Sequence, residues 1–176
     1  MRLLDAVEAL SAQGPMSEIT MRSIAEQAGC SLGLAYRYFD TKEELLGAVL
    51  DRAAAYITDG LDQVHTPEEV VEHVWPRMAE RPVFARLFAW LILEQQDVSA
   101  VMSRHPLLER VIRQAHQDGD PDPTAAATAL GTVLLGGGFF APAIANAARG
   151  QPNSPELTNR LTRAARATGF PSEPRP

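Results

Sequence analysis

Ile19-Thr-Met-Arg-Ser-Ile-Ala-Glu-Gln-Ala-Gly-Cys-Ser-Leu-Gly-Leu-Ala-Tyr-Arg-Tyr-Phe39 is the stretch that decides the fold of this chain. Thr20 can accept hydrogen bonds from the free amides of a helix start. Ile24 and Ala28 then recur at i and i+4, so one side of that helix faces a core. Ala25 lies four residues before Gly29. A methyl there lets a second helix approach closely, and Gly29 can take the positive φ of a sharp helix exit. Ser31 is a natural cap for the next helix, which carries Leu34, Ala35 and Tyr38 on roughly one side. Two short helices joined by a glycine turn fit the helix-turn-helix description, an arrangement that can push a small helix into a DNA groove.

Downstream, Thr41-Lys-Glu-Glu44 reads as a capping box, with Leu45, Leu46, Val49 and Leu50 continuing at helical spacing to about Gly60. Upstream, Leu3, Leu4, Val7 and Leu10 form an apolar stripe that Gly14-Pro15 terminates. The first sixty residues therefore predict a three-helix DNA-binding unit followed by a long connecting helix.

Residues 2–50 resemble the N-terminal domain of TetR-type bacterial transcriptional regulators. The matching elements are Thr20, Ile24-Ala25, Ala28-Gly29, Ser31, Gly33, Tyr36, Tyr38-Phe39, and Thr41-Lys42-Glu43 with Leu45. Cys30 stands where such proteins usually carry a branched aliphatic, and Ala35 where a larger apolar residue is common, which predicts slightly looser packing. The chain starts almost directly in its first helix, leaving few residues for the arm that often adds minor-groove contacts in this family.

The resemblance implies that Thr20, Tyr36, Tyr38 and Lys42 contact phosphates, which fix register without reading sequence. Lys42 would add its charge to the amides of a helix N-terminus. Ser31, Leu32, Gly33, Leu34 and Arg37 are the candidates for facing bases: Arg37 suits guanine, and the leucines suit thymine methyls. Arg22 fits either a phosphate contact or a solvated surface charge. The competing reading of Tyr36, Tyr38 and Phe39 is that they are core aromatics, which fits Phe39 better than Tyr36.

Charge argues the other way. The 176 residues carry a formal net charge of −6, whereas nucleic-acid domains are often basic. Residues 1–50 hold four cations, Arg2, Arg22, Arg37 and Lys42, against seven carboxylates. The cations fall in the helix starts and the recognition segment, and Asp5, Glu8 and Glu26 can point elsewhere. So few cations predict modest non-specific affinity and a shallow salt dependence.

Hydrophobic content of 45% excludes wholesale disorder. The longest apolar run, Ala125 to Ala148, carries Thr, Gly, Pro and Asn and reads as a packed helix rather than a membrane span. With no charged-then-apolar leader and a single cysteine, Cys30, the expectation is a cytoplasmic protein.

Beyond residue 60 the punctuation predicts further helices. Thr66-Pro-Glu-Glu69 is a second capping box, and Pro82, Pro106, Asp122-Pro123 and Ser154-Pro155 open others. Pro171–Pro176 reads as a tail. Gly131 and Gly136-Gly-Gly138 lie inside the longest helix, where each glycine costs on the order of 1 kcal/mol against alanine. Such a run predicts either close approach of another helix or a break lining a cavity.

In the family resembled, the last two long helices pair with their copies. The small residues Ala125–Ala129, Gly131 and Ala141–Ala148 suit that contact, and two half-sites require two heads. The alternative is a monomeric core helix kinked at Pro142. A ligand pocket is the family's second implication. Trp75, Met78, Phe84, Phe88, Trp90, Met102, Phe139 and Phe140 are candidates to line it, with His73, Glu94, Gln95 or His116 as polar anchors. Aromatics at helical spacing also read as ordinary core. Arg160, Arg163 and Arg166 read as a solvated face.

Enzyme readings lack support. His65, His73, His105 and His116 are far apart without metal-type spacing. There is no strand-borne phosphate loop or nucleophile elbow, and no cofactor or metal is implied.

The sequence thus predicts an all-α fold: an N-terminal three-helix DNA-binding head with a helix-turn-helix (1–48), a C-terminal helical ligand-binding and dimerisation domain (49–170), and a mobile tail (171–176). The expected function is a homodimeric TetR-like regulator, a repressor rather than an activator. It would hold a palindromic double-stranded operator and be released by a small, largely apolar effector. The rival reading is a helical ligand- or partner-binding protein whose acidic head no longer binds DNA.

Overall fold

The computed structural model describes residues 2–64, 66–102, 105–151 and 154–167, and every regular element among them is helical. Their contacts divide the chain into two compact units, Met1–Ala55 with Arg81–Arg104, and Tyr56–Glu80 with His105–Pro176.

The first unit is built from α1 (Arg2–Gln13), a single 3-10 turn (Met16–Glu18), α2 (Met21–Gln27), α3 (Leu32–Tyr38), the start of α4 (Lys42–Thr58), α6 (Pro82–Leu93) and α7 (Val98–Val101). Its core joins Leu3 and Val7 of α1, Ile24 and Ala25 of α2, and Leu45, Leu46, Val49 and Leu50 of α4 to Leu87 and Leu91 of α6. Each of the leucine, isoleucine and valine side chains among them contributes about 1.5–3 kcal/mol on burial. Ala35 is fully buried and Cys30 half-buried. At Gly47, a Cβ would fall on the Val101 carbonyl oxygen, and the bare glycine is what lets α7 seat against α4.

An ion-pair cluster fastens the outside of this unit. Arg52 of α4 reaches Asp5 and Glu8 of α1, both at 2.6 Å, and Arg81 reaches the other Glu8 oxygen at 3.1 Å. Partial burial pulls the Arg52 guanidinium pKa down, but its bonds to Asp5 and Glu8 outweigh that and leave it raised. A raised arginine stays charged through the working pH range, so the cluster is not lost from the arginine side. Arg86 of α6 also donates to the Ser11 carbonyl of α1.

The second unit contains the end of α4, a 3-10 turn (Leu61–Gln63), α5 (Pro67–Glu80), α8 (Pro106–Gln117), α9 (Pro123–Ala147) and α10 (Pro155–Ala167). The expected caps are present: Thr66 and Glu69 form the reciprocal capping box, and Asp122 and Ser154 accept the Ala125 and Leu157 amides. Residues 171–176, read as a tail, lie outside the described residues, as does His65.

The glycine run in α9 resolves in favour of close approach. The helix is unbroken from Pro123 to Ala147. A Cβ on Gly137 would sit inside the Trp75 indole of α5, and one on Gly138 would lie 2.9 Å from the Met78 methyl. The stretch Pro123–Ala141 is long and apolar enough to cross a membrane by length and composition. Ala126, Ala127, Leu130 and Leu134 of that stretch are buried within the second unit.

A Cβ on Gly136, one residue away, would meet nothing within 4 Å among the described residues. Gly137→Ala should therefore destabilise the fold by about 1–3 kcal/mol through overpacking, whereas Gly136→Ala should stabilise it by about 1 kcal/mol. Chemical denaturation of the two variants beside wild type checks the opposite signs.

Candidate nucleic-acid interface

The helix-turn-helix forms as its residues dictate. Thr20 and Ser23 cap α2 reciprocally: the Ser23 amide donates to Thr20 Oγ1 at 3.1 Å, and the Thr20 amide donates to Ser23 Oγ at 2.9 Å. Gly29 exits α2 at φ +65°, and the Cys30 amide returns to the Ala25 carbonyl at 2.9 Å. Ser31 Oγ accepts the Leu34 amide at 3.2 Å and starts α3.

A helix of this length presents one inward face and one outward face. Ala35 is the inward anchor, with no exposed surface, and Leu32 is half-buried beside it. Ser31, Gly33, Leu34, Tyr36, Arg37 and Tyr38 all face outward. Tyr36 is 48% exposed and Tyr38 68% exposed, so both are surface groups, while Phe39 is half-buried against the core. Among the described residues nothing lies within 4 Å of where a Gly33 Cβ would stand. Arg22 and Arg37 are exposed and make no salt bridge among the described residues.

Lys42 differs from its neighbours. It opens α4, is half-buried, donates from Nζ to the Ile19 carbonyl at 2.8 Å, and lies 5.0 Å from the centre of the Trp90 ring. Thr41 caps α4 through the Glu44 amide at 3.1 Å. Glu44 in turn accepts the Asp40 amide at 2.8 Å, one residue further back than a standard capping box.

Several acidic groups of the head are engaged elsewhere, although Asp40 follows α3 directly. Asp5 and Glu8 are spent on Arg52 and Arg81. Glu43, Glu44 and Asp51 line a groove along α4 with Phe39 and Val101, a surface that repels phosphate. On α3 itself Tyr36, Arg37 and Tyr38 are exposed and no carboxylate is present.

The residues considered for a pocket divide between the units. Trp75 and Met78 are buried in the second, against Gly137 and Gly138. Phe139 and His116 are exposed there. Phe84, Phe88, Trp90, Glu94 and Met102 belong to the first unit, where Phe84 and Phe88 stack at 5.8 Å, Met102 is buried in the head core and Glu94 is exposed. No group of three or more His, Cys, Asp or Glu among the described residues is placed to hold a metal ion. The membership of α6 in the head had no sequence signal, because it depends on contacts between residues some seventy positions apart such as Arg81–Glu8.

A capped helix-turn-helix offering an exposed polar and aromatic helix face is that of a DNA-binding regulator. Residues 3–49 match the model described as "Bacterial regulatory proteins, tetR family". This match spans the helix-turn-helix head, and the relatives that the chain resembles over most of its length are named transcriptional repressors and regulators. Among relatives, the chain is 26% identical over 144 residues to the HTH-type transcriptional repressor KstR of Rhodococcus jostii (strain RHA1), covering 76% of this chain and 68% of that one. Its fold is similar to that of Mycobacterium smegmatis BioQ, with a TM-score of 0.63 at 21% identity, covering 95% of this chain and 97% of that one. It is also similar to BioQ solved with its natural double-stranded DNA operator, with a TM-score of 0.62 at 21% identity and 94% of each chain covered.

Gly33→Ala should stabilise the head by about 0.5–1 kcal/mol, since α3 has room for the methyl. It should at the same time weaken binding to duplex DNA, because that methyl stands on the outward face. Denaturation and DNA titration of the one variant check both signs.

Proposed function

We propose that this protein is a homodimeric repressor that grips a palindromic operator through two copies of α3 and releases it when a small, largely apolar effector binds. The observation that carries this reading is the outward face of α3, held by a buried alanine and two capped helix starts. In this reading Thr20, Tyr36, Tyr38 and Lys42 meet phosphates, with Arg22 beside them. Ser31, Leu32, Gly33, Leu34 and Arg37 face the major groove. The repressor name of KstR and the operator-bound structure of BioQ support it. Its place of action would be the cytoplasm, where the operator lies.

Dimerisation through α9 and α10 is supported by a second feature. Phe140, Ala143, Ile144 and Ala147 recur at i, i+3, i+4 and i+7 along α9, and all four are exposed. An apolar stripe of this spacing on a helix surface suits a partner helix. The effector would lodge in the second unit around Trp75 and Met78, with Phe139 and His116 as further candidates. Its binding would shift α4, change the separation of the two recognition helices and loosen the operator, and DNA would loosen effector by the same factor.

Titration of DNA from around the protein's own coding locus at several salt concentrations tests the head. Wild type should bind one short palindromic segment saturably, and a Tyr36→Ala, Lys42→Ala double variant should lose that binding. Equal affinity for all fragments, unchanged in the variant, would refute the reading. For the interface, Phe140→Asp with Ile144→Asp should convert a dimer to a monomer in sedimentation, with operator affinity falling at least tenfold as the two half-sites are uncoupled.

A further inference from the structure

Trp90 lies on α6, outside the helix-turn-helix, yet its ring is placed under the ammonium that opens α4. Three facts bear on why an indole stands there. Lys42 Nζ lies 5.0 Å from the centre of the Trp90 ring, within the range in which a cation is attracted to an aromatic face. The same Nζ donates to the Ile19 carbonyl at 2.8 Å, so the ammonium is held from two sides by different parts of the head. The Trp90 Nε1 is buried and has no hydrogen-bond partner among the described residues. A buried, unpaired N–H is destabilising, and a leucine or phenylalanine would avoid it. What tryptophan offers here beyond those residues is its face, the strongest of the aromatic side chains for a cation.

An ammonium has three donors. The Ile19 carbonyl and the indole face occupy two directions and leave one for a further acceptor. A free lysine must lose considerable rotamer entropy to meet a phosphate, and one already held from two sides has lost it before DNA arrives. Val83, Leu87 and Leu91 anchor α6 in the head core, so the indole is carried on a fixed element.

We propose that Trp90 is a positioning residue for DNA binding: with the Ile19 carbonyl, its indole face holds the Lys42 ammonium at the start of α4 where a backbone phosphate is met. The inference rests on the DNA-binding reading above and extends the interface to a residue of α6. Displacement of α6 would then weaken DNA binding through Lys42 directly, apart from any change in the spacing of two heads.

The test uses the full chain and a short mixed-sequence DNA duplex, with affinity followed by fluorescence anisotropy between about 50 and 200 mM salt. Wild type is compared with Lys42→Met, Trp90→Leu, Trp90→Phe and the Lys42→Met, Trp90→Leu double variant. Loss of one phosphate contact lowers the slope of log affinity against log salt by about one. Lys42→Met should show that loss for each head. Trp90→Leu should weaken binding several-fold and lower the slope in the same direction, and the double variant should bind no worse than Lys42→Met.

Trp90→Phe keeps a ring but a weaker face, and should fall between wild type and Lys42→Met. A Trp90→Leu protein that binds with the wild-type slope while Lys42→Met has lost its contact would overturn the role of Trp90 alone. A wild-type slope in Lys42→Met would overturn the phosphate reading of Lys42 and this inference with it. If Trp90→Leu does not fold, Trp90→Phe decides: a slope equal to wild type overturns the proposal, and an intermediate slope supports it.

Discussion

Seven residues of α3 are too few to hold themselves as a helix. Nucleating a first turn is costly, and isolated helices shorter than about 12–15 residues are marginal in water. The structure of the first unit follows from that constraint. Ser31 supplies a cap of about 1 kcal/mol, Ala35 is the point at which the helix is pinned to the core, and Gly29 turns the chain sharply enough for α2 to lie against it. Apart from half-buried Leu32, the rest of α3 faces outward. An interface that must be rigid yet wholly exposed on one side is obtained by pinning it at its ends and at a single methyl.

The pins need a frame, and the frame is assembled from distant parts of the chain. Glu8 is its central polar element, taking Arg52 of α4 on one carboxylate oxygen and Arg81, the residue before α6, on the other. Exposed ion pairs contribute little individually, but this cluster is partly buried and joins three helices. It also does electrostatic sorting. A head with net negative charge would repel DNA if its charges were spread evenly; here two of its carboxylates are neutralised on the α1–α4 flank, and others line the groove along α4.

Much of this was legible in the sequence, for a local reason. Thr20, Ser31, Thr41, Thr66 and Asp122 each read as helix starts, and the capping bonds are there, because a cap involves residues only two or three positions apart. Phe39 read best as core and is half-buried against it, whereas Leu34 and Tyr38, which share a side with Ala35 by spacing, are exposed. The glycine run was legible only as two alternatives. Which one holds depends on the Trp75 indole, more than sixty residues earlier in the chain, arriving opposite Gly137.

What the sequence by itself determined is the helices other than the short α7, their caps and the glycine turn, all of which rest on backbone hydrogen bonding and periodicity within a few residues. What only the tertiary structure decided is which helices share a core. Phe84, Phe88 and Trp90 read as core or as pocket lining, and they fall in the unit that carries the recognition helix. Apolar burial is non-directional, so an apolar helix face shows that it must be covered without showing by what. That choice is made by the cumulative fit of the whole chain, and it is what brings the Trp90 ring to within 5.0 Å of the Lys42 ammonium.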